Sequence, residues 1–130
     1  MKQISARVRI YFDAERVIGP GRIELLEGVR LTGSLTQAAR GLHMSYRRAW
    51  QLMQSMNRSL AEPVSIASKG GRDGGGAALT PAGKALIRAY RGFEARVTRE
   101  SRLRFGAFAP RASRQPARNP RRRAGKAVRR

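Results

Sequence analysis

Apolar and polar positions alternate along the first dozen residues, with Ile4, Ala6, Val8, Ile10 and Phe12 set against Ser5, Arg7, Arg9, Tyr11 and Asp13. A period of two predicts a strand with one buried face. Gly19-Pro20-Gly21 breaks this pattern, and the period then lengthens. Ile23, Leu26 and Val29 share one face of a helix that Pro20 is placed to begin, and Gly33 can take the left-handed position that ends it. Ser34 follows as an N-cap, with Gln37 three residues later at capping-box spacing. Leu35, Ala38, Ala39 and Leu42 fall at i, i+3, i+4 and i+7, a complete helical face whose two alanines let another helix cross closely. Gly41-Leu42-His43-Met44 reads as a turn. Ser45 caps the next helix, in which Tyr46, Ala49, Trp50, Met53 and Leu60 can face inward, and Pro63 ends it. Trp50 is expected in the core, because a large aromatic on an apolar face is most often packed there.

Val64–Ser68 and Ala77–Leu79 are short strand candidates around the basic, glycine-rich stretch Lys69-Gly-Gly-Arg-Asp-Gly-Gly-Gly76, which predicts a hairpin. Thr80 caps a last helix with Pro81 at its first position. Leu86, Ala89, Tyr90, Phe93 and Val97 carry the helical spacing to about residue 100. Beyond Phe108 the chain is Pro, Ala, Ser and Arg without periodicity, a composition expected to be disordered. The predicted fold is mainly α with a small β component, a winged helix-turn-helix: an N-terminal strand, a three-helix core, a β-hairpin wing and a C-terminal helix expected to mediate dimerisation. The expected division is a DNA-binding domain over residues 1–105 and an arginine-rich basic tail over 106–130.

Charge narrows the choice of partner. The 130 residues carry 28 Lys and Arg against 8 Asp and Glu, a net charge of +20, and the last 30 residues contribute more than half of it without a single acid. A basic domain with a more basic tail favours a polyanion. Nucleic acid leads; an anionic membrane is the weaker reading, since the tail offers no apolar face to lie in lipid. There is no Cys, which excludes disulfides and thiolate chemistry. No apolar run approaches the ~18 residues of a membrane span, and the N-terminus lacks an apolar signal core. The expected setting is therefore the cytoplasm, in association with the nucleoid.

The candidate chemistry lies at the start of the second helix of the pair. Ser45, Tyr46, Arg47 and Arg48 open a helix whose first turn would enter a major groove. Arginine there can bond the O6 and N7 acceptors of guanine, and helix N-termini also favour phosphate. The alternative is a solvated basic face, and the sequence does not assign base and phosphate between the two arginines. Ser34, Thr36 and Gln37 of the preceding helix join the candidate DNA-contacting set, as do Lys69, Gly70, Gly71 and Arg72 of the wing, where bare glycine amides can approach phosphate; a plain hairpin tip is the competing reading. His43 stands alone, without Cys or clustered carboxylates, so no metal site is expected. The carboxylates form no catalytic pair, and no general base is evident near Ser34 or Ser45. No enzyme and no cofactor are expected.

Several of these stretches also resemble a known family. Gly33-Ser34, Ala38-Ala39, Met44-Ser-Tyr-Arg-Arg-Ala-Trp50, Met56-Asn57, the glycine-rich stretch 70–76 and Leu79-Thr-Pro-Ala-Gly83 are similar to the DNA-binding domain of ModE-type molybdate-responsive transcription regulators. The likeness covers about residues 4–100; a less specific one extends to LysR-type DNA-binding domains. It implies DNA binding and a homodimer. Full-length ModE-type members carry C-terminal molybdate-binding β-barrels, which the arginine-rich tail cannot build, so molybdate is not expected to bind this chain directly. The expected function is sequence-specific regulation of transcription. The alternatives are an architectural DNA- or RNA-coating protein driven by charge, or a module whose wing and last helix bind another regulator.

Overall fold

The computed structural model describes residues 3–68 and 76–111. Two short strands, β1 (Ile10–Tyr11) and β2 (Val17–Ile18), form an antiparallel hairpin with Ile10 opposite Ile18. Three helices follow: α1 (Pro20–Thr32), α2 (Leu35–Gly41) and α3 (Tyr46–Ser59). A second antiparallel pair, β3 (Ser65–Ala67) and β4 (Ala77–Leu79), leads into the long α4 (Pro81–Phe105) and a 3-10 turn over Gly106–Phe108. This is the winged helix-turn-helix arrangement, with β3 and β4 as the base of the wing.

The N-terminal segment departs from its expectation in one respect. Residues 3–10 do alternate between exposed and half-buried positions, but ladder pairing is confined to two residues. The segment is held by α4 instead of by a sheet. Tyr90 Oη donates to Val8 O (2.6 Å), the Ala6 amide to Thr98 Oγ1 (3.1 Å) and Arg102 Nε to Ile4 O (2.8 Å). Amphipathic alternation reports a one-sided surface, and a helix satisfies it as well as a strand would. Asp13 closes the β1–β2 turn, its Oδ1 accepting from the amides of Glu15 and Arg16. Those amides, and then the Arg16 guanidinium, hold its carboxyl below the ordinary aspartate value.

The core is built where α1, α2, α3 and the start of α4 meet. Ile23, Leu25, Leu26 and Val29 of α1 are essentially excluded from solvent, with Ala38 and Ala39 of α2, Ala49, Leu52, Met53 and Met56 of α3, and Ile87 and Tyr90 of α4. The small residues set the spacing: a Cβ at Gly28 would lie 2.9 Å from the Cβ of Ala38, so α1 and α2 cross almost backbone to backbone. Gly33 ends α1 at φ 68°, and its amide bonds Val29 O. Arg91 ties α4 to α1 through a two-pronged contact with Glu27 (2.6 and 3.0 Å) while also pairing with Glu94 (2.7 Å). These bonds, the Glu27 pair foremost, raise its pKa above the usual guanidinium value.

Candidate nucleic-acid interface

The interface is assembled by caps. Ser34 Oγ accepts from the Gln37 amide (3.1 Å) and starts α2; Ser45 Oγ accepts from the Arg48 amide (3.1 Å) and starts α3. Between them the amides of Leu42, His43 and Met44 bond back to the carbonyls of Ala38–Arg40. His43 takes φ 55°, a left-handed conformation uncommon for a residue with a side chain. This turn fixes the angle at which α3 leaves α2.

Once α3 is docked, its two faces separate. Ala49, Leu52, Met53 and Met56, at i, i+3, i+4 and i+7, are buried. Ser45, Tyr46, Arg47, Arg48, Trp50, Gln51 and Arg58 are exposed. At 100° per residue, Arg47 projects nearly opposite the buried face, while Arg48 lies on its border. Trp50 overturns its expectation: it is 47% exposed and Tyr46 is 48% exposed. The reason is steric. Ala49 is wholly buried and occupies the line on which α3 meets the core. The residue after it is turned about 100° away, and Leu52 closes the buried face instead.

The wing base is anchored to both ends of this unit. Asn57 of α3 accepts from the amides of Val64 (2.9 Å) and Ser65 (3.1 Å), and its Nδ2 donates to Ser65 Oγ (3.1 Å). On the other side the Ala77 amide donates to Gly33 O (3.1 Å), and Ser34 bridges Gly76. At the far end Thr80 Oγ1 caps α4 by accepting from the Gly83 amide (3.1 Å) and donates to Pro63 O (2.7 Å). Asn57 is thus a positioning residue, and its role depends on partners seven and eight residues further along the chain that no local spacing announces.

The candidate residues divide accordingly. Ser45, Tyr46, Arg47 and Arg48 come together at the exposed start of α3. Gln37 is exposed and Thr36 half-buried on α2, whereas Ser34 is buried (6% exposed) with its hydroxyl engaged in the cap. Lys69, Gly70, Gly71 and Arg72 lie outside the described residues. Among the described residues no three His, Cys, Asp or Glu side chains group as metal ligands, and no helix is long and apolar enough to cross a membrane.

Comparison with known proteins finds the same unit elsewhere. Residues 21–84, from the first turn of α1 to the first turn of α4, match the model of the bacterial regulatory helix-turn-helix proteins of the lysR family. These residues form a LysR-type helix-turn-helix domain. Outside that domain the match continues in individual relatives. The chain is 49% identical over 82 residues to the molybdenum-pterin-binding protein MopB of Rhodobacter capsulatus, covering 63% of this chain and 30% of that one. It is 36% identical over 89 residues to the molybdenum transport protein ModE of Azotobacter vinelandii, 68% of this chain and 33% of the relative. With the DNA-binding transcriptional dual regulator ModE of Escherichia coli it shares 42% identity over 72 residues, 55% and 27% of the two chains. The chain spans about a third of the length of the relatives it matches. The ModE-like and LysR-like resemblances seen in the sequence therefore both hold, and they meet in the LysR-type domain.

Proposed function

We propose that this chain is a DNA-binding transcription regulator that reads duplex sequence with α3. The observation that carries the reading is the capped, exposed start of α3 in a LysR-type helix-turn-helix domain. The Ser45 cap leaves Arg47 pointing away from the core, where a helix lying in a major groove meets base edges. Tyr46 and Trp50 lie together on one side of Arg47 and add apolar surface suited to a thymine methyl. Thr36 and Gln37 contact the phosphates beside the groove; Ser34 serves as the cap that places them. Lys69, Gly70, Gly71 and Arg72 of the wing follow the backbone or the minor groove. The role is binding, without a catalytic step.

The proposed unit is a homodimer paired along α4. Past Tyr90 this helix leaves the core, yet it carries Phe93, Leu103 and Phe105 with 47%, 74% and 56% of their surface exposed. Phe93, Val97 and Phe105 line one groove on it. Two copies joined there would set their α3 helices about 34 Å, or a multiple of it, apart on inverted half-sites. Molybdenum appears in the names of two of the three relatives described above and is not carried over to this chain; duplex DNA is the proposed ligand.

Selection of bound duplexes from a random pool by the purified chain tests the reading. An inverted-repeat consensus is expected. Affinity for it should exceed that for unrelated duplex by at least about a thousandfold at physiological salt. A ratio near one would mean that the +20 charge merely coats nucleic acid.

A further inference from the structure

Three arginines from three different segments converge on one open cleft of about 310 Å³ beside the recognition helix. Arg9 reaches it from the extended segment preceding β1, Arg22 from the first turn of α1 and Arg48 from the first turn of α3. The rest of the lining is glycine, proline and apolar side chains, without a carboxylate. None of the three guanidinium groups has an acidic partner among the described residues, in contrast to Arg91, Arg16 and Arg104, which are all paired. Desolvation, and then the neighbouring positive charge of Arg48, pull the pKa of Arg22 below the ordinary guanidinium value; the like charges repel and no acid relieves them.

The local structure holds them in this arrangement. The stem of Arg9 lies across Gly19, where a Cβ would sit 3.2 Å from Arg9 Cγ. The first turn of α1 has no side-chain cap and no acid, and Pro20 brings no N–H. The Gly21 and Arg22 amides therefore remain as the unused donors of that helix end. Side-chain cations from three separate segments thus meet backbone donors at one place, a set whose chemistry suits an anion.

We propose that Arg9, Arg22 and Arg48 form a clamp for one phosphate of the DNA backbone at the edge of the groove that α3 enters. The clamp rests on the DNA-reading function proposed above. It also divides the labour between neighbours on α3: Arg47 faces bases, and Arg48 turns aside to the phosphate. A bidentate guanidinium suits a non-bridging phosphate oxygen pair.

The test uses the full chain, the duplex selected by it, and a set of duplexes each carrying one neutral methylphosphonate in place of a phosphate. In the unmodified chain, neutralising one phosphate beside the half-site should cost about tenfold in affinity. Arg22→Gln and, separately, Arg9→Gln should each cost a similar factor on every duplex, and the salt slope should fall by about one. The preference for the selected sequence should stay unchanged. In either variant the same methylphosphonate should then cost clearly less than it does in the unmodified chain, since one of the three cations that held that phosphate is gone. If the chain binds its selected duplex but no phosphate position is coupled to Arg22 or Arg9, the clamp is overturned and the DNA reading stands. If inorganic phosphate alone, at micromolar concentration, shifts the Arg22 and Arg48 side-chain resonances while no duplex position is coupled, the site takes a free anion and the clamp is likewise overturned. A chain that prefers no duplex removes the clamp together with the reading beneath it.

Discussion

At Gly83 the backbone of α4 passes so close to the wing base that a Cβ built there would lie 2.1 Å from the carbonyl oxygen of Val64. That carbonyl already accepts from the Thr80 amide (3.0 Å), so it cannot swing away without breaking the joint between α4 and β3. Gly83→Ala should therefore cost about 3 kcal/mol, read as a lower denaturant midpoint; an unchanged midpoint would show that α4 is not pinned there. Single residues differ in how openly the sequence announces them. Ser34, Ser45 and Thr80 are legible as caps, because a hydroxyl three residues ahead of an amide has one evident use. The left-handed Gly33 is legible for a similar reason. His43 is less so: histidine tolerates the left-handed region better than most residues, but it is the turn between α2 and α3 that requires the positive φ. Trp50 is misread because size and apolarity argue for burial, while its exposure is decided by Ala49 on the neighbouring line of the helix.

At the scale of the element, what the sequence conceals is who pairs with whom. The alternation over Ile4–Ile10 is visible, but its partner is the flank of α4, reached by a hydrogen bond 82 residues away along the chain. Tyr90→Phe should remove that bond and leave the Val8 carbonyl without its donor, at about 1 kcal/mol. Faster amide exchange over residues 4–10, with α1–α3 unaffected, would report it; uniform protection would contradict it. The wing base offers the complementary case. Asn57 connects α3 with both Val64 and Ser65, so Asn57→Ala should cost about 1–3 kcal/mol. If the wing takes part in binding, the same change should lower affinity for DNA beyond what the stability loss accounts for. An Asn57→Ala chain that binds as well as the unaltered one would show that the wing's position is immaterial. α4 runs to Phe105, five residues past the expected end near residue 100, because its last turns are built from Arg99, Arg102 and Arg104. These are good helix formers in solvent, and an apolar repeat cannot register them.

For the whole molecule the governing quantities are charge and its division. The helix-turn-helix unit and wing base can supply specificity, while the basic residues beyond Phe108 add attraction that any duplex shares. Removing the chain after Phe108 should flatten the dependence of affinity on salt concentration, since each phosphate neutralised contributes about −0.9 to the logarithmic slope. The selected sequence should stay the same, and a changed consensus would place the tail among the base-reading parts. The architecture itself is well signalled, since strands, caps, glycines and apolar spacing point to one winged helix-turn-helix. The cleft of Arg9, Arg22 and Arg48 is not, because its members come from three segments that only the folded chain brings together. The account stands or falls on α3, and it is tested most directly by measuring Arg47→Ala against every single-base variant of the selected half-site. Loss of about 1–3 kcal/mol confined to one base pair, with the other positions still discriminated, is the predicted result; an equal loss on all duplexes, or none, would contradict it.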